Sequence, residues 1–188
     1  MIKVFIGYDE REAIAFSVLA HSIHRRASAP VSITPLMLSE LTGVLTRERH
    51  PLQSTDFSFS RFLTPFLSDY AGWSVFMDCD MLMRDDMARL YALRDERYAV
   101  MVVKHDHVPK ASVKFLDQPQ RAYNKKHWSR VMLFNNARCR ALTPAFVYCA
   151  HVLDLPQFQW LDTAHLLGQL PERCDPQVNV VSRITAAA

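Results

Sequence analysis

A chain of 188 residues with 49% hydrophobic and 22% charged residues suits one compact domain and is too apolar for a disordered segment. Its net charge of +3 is mild and its basic residues are scattered, densest in HRR at 24–26 and NKK at 124–126, so it lacks the footprint of a nucleic-acid binder. The longest charge-free apolar stretch, Ala141 to Leu153, has 13 residues and contains Pro144, too short for a bilayer span.

The N-terminal run IKVFIG (2–7) reads as a buried first strand. It passes directly into acidic residues without the long apolar core and cleavage site of a signal peptide. A cytoplasmic location is expected, and weak attraction of the basic clusters to lipid headgroups leaves a peripheral membrane position open. Asp9 is a candidate N-cap for a helix in which Ala13, Phe16, Ala20 and Ile23 recur at helical spacing. Glu10 and Glu12 at its start and Arg25 and Arg26 at its end suit the macrodipole. Beyond Pro30, VSITPLML reads as a second strand, interrupted or placed at an edge by Pro35.

Residues 39–59 are polar and suggest a loop with short structure. A helix is expected from Ser60, with Pro65 tolerated near its first turn. WSVFMD then reads as a strand, DDMARLYAL as a short helix, YAVMVV as a strand buried on both faces, and RVMLFN as another strand. Thr143 and Pro144 are a good cap and first residue for a helix through AFVYCAHVL. QWLDTAHLLGQLP reads as a last helix, closed near Gly168. Strands alternating with helices predict an α/β domain with a largely parallel sheet covered on both sides.

In such sheets ligands sit beyond the carboxyl ends of the strands. Tyr8 and Asp9, Asp78 and Asp80, KHDH at 104–107, and Asn135 with Asn136 all follow expected strands. The sharpest of these is MDCDMLMRDD, where two aspartates one residue apart end an apolar run. Carboxylates so placed repel unless a proton or a cation lies between them. Asp85 and Asp86 already supply caps for the next helix, which leaves Asp78 and Asp80 for a divalent metal, Mn²⁺ or Mg²⁺, and through it a diphosphate. Only four glycines occur, and none lie close together, so neither a dinucleotide fingerprint nor a P-loop can exist here. Cys79, Cys139, Cys149 and Cys174 show no C-x-x-C spacing, which favours reduced thiols.

Two enzyme families place an aspartate pair after a strand. Aspartate-nucleophile phosphatases follow it with Gly or Thr near the first strand, whereas Met81 and Leu82 follow here and two strands precede. The blocks VFIGYDERE, SFSRFLTPFLSDYAGWSVFMDCDMLMRDDMARLYAL, YAVMVVKHDH and YNKKHWSRVMLFNNARC resemble a bacterial group of GT-A fold nucleotide-sugar glycosyltransferases related to family 8. The resemblance implies a single GT-A-like domain over residues 1–170 and transfer of a sugar from a nucleotide-diphosphate donor, with the anomeric configuration retained. The acceptor is left as a glycan, a lipid or a small molecule, and the oligomeric state is left open.

Carried over by residue, the resemblance puts Tyr8 and Asp9 under the base and ribose, and Arg61 toward the donor, a plain surface helix residue being its alternative. It puts Asp78 at ribose and metal, Asp80 on the metal, and Asp162 facing the reacting sugar as the catalytic residue. His105 and His107 could ligate or serve as polar cover, Lys104 or His105 could assist the phosphates, and Trp128 could pack or stack on sugar. Residues 171–188 read as an atypical tail, without the histidine that in the resembling group completes the metal shell; weak transfer or a non-catalytic sugar-nucleotide-binding role is the alternative.

Overall fold

The computed structural model describes residues 1–47, 53, 55–104, 128–151, 153–161 and 166–170. Asp162, His105, His107 and the expected tail at 171–188 lie outside them. The strands are β1 (Ile2–Gly7), β2 (Val31–Leu36), β3 (Trp73–Met77), β4 (Tyr98–Val102), β5 (Val131–Asn135) and β6 (Leu166–Gln169), and the α-helices are α1 (Ala13–Arg26), α2 (Thr64–Leu67), α3 (Met87–Tyr91) and α4 (Pro144–Cys149).

The strands form one six-stranded sheet in the order β2-β1-β3-β5-β4-β6. β1 pairs in parallel with β2 and β3, and β4 with β6, while β5 runs antiparallel between β3 and β4. The result is a single α/β domain with a mostly parallel mixed sheet flanked by helices. β3 and β5, at its centre, are buried at every residue, as sequences that are apolar apart from Ser74 and Asn135 require. Val75 faces Leu133 and Phe76 faces Met132 across that pair. Pro35 sits in the edge strand β2, where a missing N–H is tolerated.

Local signals act as expected at most helix starts. Asp9 accepts from the Arg11 backbone N–H at 3.1 Å and caps a single 3₁₀ turn, Glu10–Glu12, that leads into α1. Asp86 caps α3 through the Ala88 N–H, and Thr143 caps α4 through the Phe146 N–H with Pro144 behind it. Pro65 falls in the first turn of α2, after a 3₁₀ turn at Ser60–Leu63. Cys79, Cys139 and Cys149 are free thiols. Among the described residues, no helix is long and apolar enough to cross a membrane.

Two expectations are corrected. Residues 166–169 form β6 along β4 instead of the end of a helix. The apolar spacing there is also satisfied by a short strand, and the backbone at Gly168 lies so close to β4 that a Cβ would sit 2.7 Å from Tyr98 Cγ and 2.8 Å from Met101 Cγ. Asn135 and Asn136 lie at the opposite end of the sheet from Asp78, because β5 is reversed and Asn135 faces Trp73 at the start of β3. There Glu96 accepts from both Trp73 Nε1 and Asn135 Nδ2 at 2.9 Å, and Asn136 accepts from Ser74 Oγ at 2.7 Å. These polar groups satisfy the sheet's far end.

Gly168→Ala should lower stability by about 1–3 kcal/mol, the usual cost of forcing a methyl into a filled space. Gly43→Ala, with nothing within 4 Å of its added Cβ, should change it little. Urea denaturation of both variants checks the placement of β6; equal, negligible effects would contradict it.

Candidate functional site

The carboxyl ends of β1 and β3 lie side by side, since Ile6 pairs with Met77. The residues that follow, Tyr8 and Asp9 on one strand and Asp78 and Asp80 on the other, are therefore neighbours in space. Asp78 is half-buried and Asp80 is exposed. Arg61 reaches this point from the 3₁₀ turn before α2, and its Nη1 stands 2.8 Å from Asp78 Oδ1.

Arg61 is buried, so its charge has to be matched within the protein. Its Nε donates to the Phe57 carbonyl at 3.2 Å and its Nη1 to the Ser129 carbonyl at 2.9 Å. The guanidinium also lies 5.1 Å from the ring centroids of Phe57 and Phe76, within cation–π range. Gly7 makes room for this packing. A Cβ at Gly7 would lie 2.3 to 2.6 Å from atoms of the Phe57 ring, which is itself buried.

Asp9 is buried and organises the turn after β1. Its carboxylate accepts from Arg11 Nη2 at 2.6 Å, Arg11 Nε at 2.9 Å and the Asp56 backbone N–H at 3.2 Å. The Arg11 hydrogen bonds, against an opposing effect of burial, hold its pKa at about 2, below the ordinary 3.8. Tyr8 is half-buried, edge-on to Phe16 with ring centroids 5.4 Å apart.

The segment that carries Asp80 is tied to α1 and its flanks at three points. Cys79 Sγ donates to Glu12 Oε2 at 3.2 Å, the Met83 N–H donates to Ser22 Oγ at 2.9 Å, and Ser28 donates to Asp86 through both its N–H and its hydroxyl. Burial raises the Glu12 carboxyl above its usual range, with the Asp80 and Asp9 carboxylates adding to the effect and the Cys79 bond opposing it. Burial likewise pushes the Cys79 thiol up, so it is an anchor and not a nucleophile. Lys104, at the end of β4, lies 5.6 Å from the Trp128 ring centroid.

No group of three metal-ligating side chains occurs among the described residues. Mg²⁺ and Mn²⁺ sites that hold a diphosphate need only one or two protein carboxylates, with phosphate oxygens and water completing the shell. Asp80, exposed just beyond the end of β3, fits that requirement, with Asp78 two residues before it. Sequence reasoning missed Phe57, Ser129, Glu12 and Cys79 as parts of this site. The Gly7 before the Tyr-Asp turn and the unbroken run SFSRF were the available signals for the first.

No protein-family model matches the chain. Protein CDI of Arabidopsis thaliana is 44% identical over 173 residues, covering 90% of this chain, which spans 66% of that protein's length. Among solved structures, the apo bifunctional glycosyltransferase WbbM superposes with a TM-score of 0.58 at 16% identity, over 90% of this chain and 38% of WbbM. Apo mouse xyloside xylosyltransferase 1 gives 0.56 at 12% identity, over 90% of this chain and 84% of that one. The chain has the GT-A fold of glycosyltransferases.

Three outcomes follow from the geometry. Arg61→Met should cost about 3–5 kcal/mol by leaving Asp78 without its buried partner, and adding Asp78→Asn should restore part of that loss in a double-mutant cycle. Gly7→Ala should also destabilise, by displacing Phe57. Asp9 has a depressed pKa in the fold, so its contribution is present above about pH 4 and is lost as pH falls through about 2. A melting-temperature profile from pH 6 to pH 2 should therefore fall more steeply for the wild type than for Asp9→Asn.

Proposed function

We propose that the chain is the donor-binding domain of a metal-dependent glycosyltransferase related to family 8. It would move a sugar from a nucleotide-diphosphate donor to a glycan, lipid or small-molecule acceptor with retention of configuration, in the cytoplasm or at a membrane surface. The observation that carries this reading is the Asp78–Asp80 pair at the carboxyl end of β3, beside the end of β1, in a glycosyltransferase fold.

In this reading Tyr8 lies under the donor's base, and Asp9 holds the turn after β1 in the shape the ribose needs. Arg61, ion-paired with Asp78, would position the carboxylate that meets the ribose and the metal. Asp80, exposed and held from behind by Cys79 and Glu12, is the principal ligand for Mn²⁺ or Mg²⁺. The bound cation supplies Lewis-acid stabilisation of the departing nucleoside diphosphate. Asp162 is assigned to the reacting face of the sugar.

Calorimetry and thermal shift with a panel of nucleoside diphosphates and nucleotide sugars, with and without Mn²⁺, test the proposal. The wild type should bind one diphosphate more tightly with Mn²⁺, and Asp80→Asn should lose that metal-dependent gain while keeping its fold. Retention of the full gain by Asp80→Asn would remove Asp80 from the metal. Absence of any diphosphate binding would remove the function.

A further inference from the structure

Arg130 stands at the threshold of β5, in the 3₁₀ turn Trp128–Arg130. The Asp78 N–H donates to its carbonyl at 2.9 Å, one step beyond the Met77–Val131 pair. Residues that face each other across an antiparallel pair project on the same side, so this register sets Arg130 beside Asp78. Arg130 is half-buried, and its Nη1 is enclosed without a hydrogen-bond partner.

A guanidinium does not lose its proton in a protein, so it cannot relieve this by becoming neutral. Among the described residues, no acceptor stands within hydrogen-bond reach of Arg130 Nη1. The Ser129 carbonyl accepts from Arg61, and Asp78 Oδ1 forms an ion pair with Arg61 Nη1 without meeting hydrogen-bond geometry. Arg61 is thus matched from within at Nε and Nη1, whereas Arg130 Nη1 is enclosed without a partner. A buried donor left in this state costs desolvation free energy until an acceptor arrives. The acceptor must come to a strand end that already carries Asp80, and an anionic oxygen answers a planar cationic fork better than a neutral hydroxyl does.

We infer that Arg130 is a donor-binding residue whose guanidinium takes a phosphate oxygen of the nucleoside diphosphate. This rests on the function proposed above and adds a diphosphate ligand that is not a metal.

The test compares wild type, Arg130→Met and Arg130→Lys as full chains. Unliganded melting temperature is measured, together with calorimetric affinity for the nucleoside diphosphate panel with Mn²⁺ and for the corresponding nucleosides. Arg130→Met should melt at or above the wild-type temperature, because it removes an enclosed donor that has no partner. Its diphosphate affinity should fall about 10-fold or more with nucleoside affinity unchanged, and Arg130→Lys should recover part of the loss. A Met variant that melts several degrees lower would show that the guanidinium is matched within the protein, and overturns the assignment. So does undiminished diphosphate binding by that variant while the wild type binds. If the wild type binds no diphosphate at all, the donor reading falls and this assignment falls with it.

Discussion

The end of the sheet is organised around a buried charge, the guanidinium of Arg61. Once Arg61 is buried, its guanidinium must find acceptors, and it finds them on Phe57, Asp78 and Ser129. Those residues belong to the 3₁₀ turn Asp56–Ser58, the end of β3 and the threshold of β5, so one side chain brings together segments far apart in sequence. Such a pair contributes little net stability over an apolar substitute. Its effect is positional: Asp78 is held where β1 and β3 end together, and the reversed direction of β5 is what delivers Ser129 to that place.

The opposite side of the same loop is restrained differently. Glu12, Ser22 and Ser28 hold Cys79, Met83 and Asp86, so the chain through Asp80 runs along α1 instead of projecting freely. A carboxylate exposed on a held backbone loses little freedom when a ligand arrives, which is the usual gain from preorganisation. Burial of Arg61 beneath Asp78 and restraint of the loop above it leave Asp80 as the accessible carboxylate of the pair.

Strands β1, β3, β4 and β5 were legible because continuous apolar runs of this length bury in a sheet, and the aspartate pair was legible because it interrupts such a run. Strand direction was not legible. Nothing in VMLFN distinguishes a parallel neighbour from an antiparallel one, so Asn135 and Asn136 were expected at the wrong end. β6 was obscured because four residues, LLGQ, carry too little periodicity to separate a strand from a helix; pairing with β4 decides it. The partners of Arg61 were hidden for a related reason. A lone arginine on an otherwise apolar turn signals burial only when its acceptors are known, and two of them are carbonyls that sequence cannot mark.

The pairing of β6 with β4 also bears on the order of assembly. β1 and β2 join residues 29 apart, Ile2 with Val31, across the single helix α1, whereas β4 and β6 join residues 68 apart, Tyr98 with Leu166. The longer closure adds under about 1 kcal/mol of chain entropy, since each doubling of loop length costs only about 0.6 kcal/mol. The edge strand is thus inexpensive to hold once β5 and β4 are in place. It has no template before then, because β4 is the strand it pairs with. Non-local parallel pairings of this kind form slowly. On topology alone, β1, α1 and β2 are expected to form first and β6 to dock last, after the strand ends that carry Tyr8 and Asp78 have been brought together.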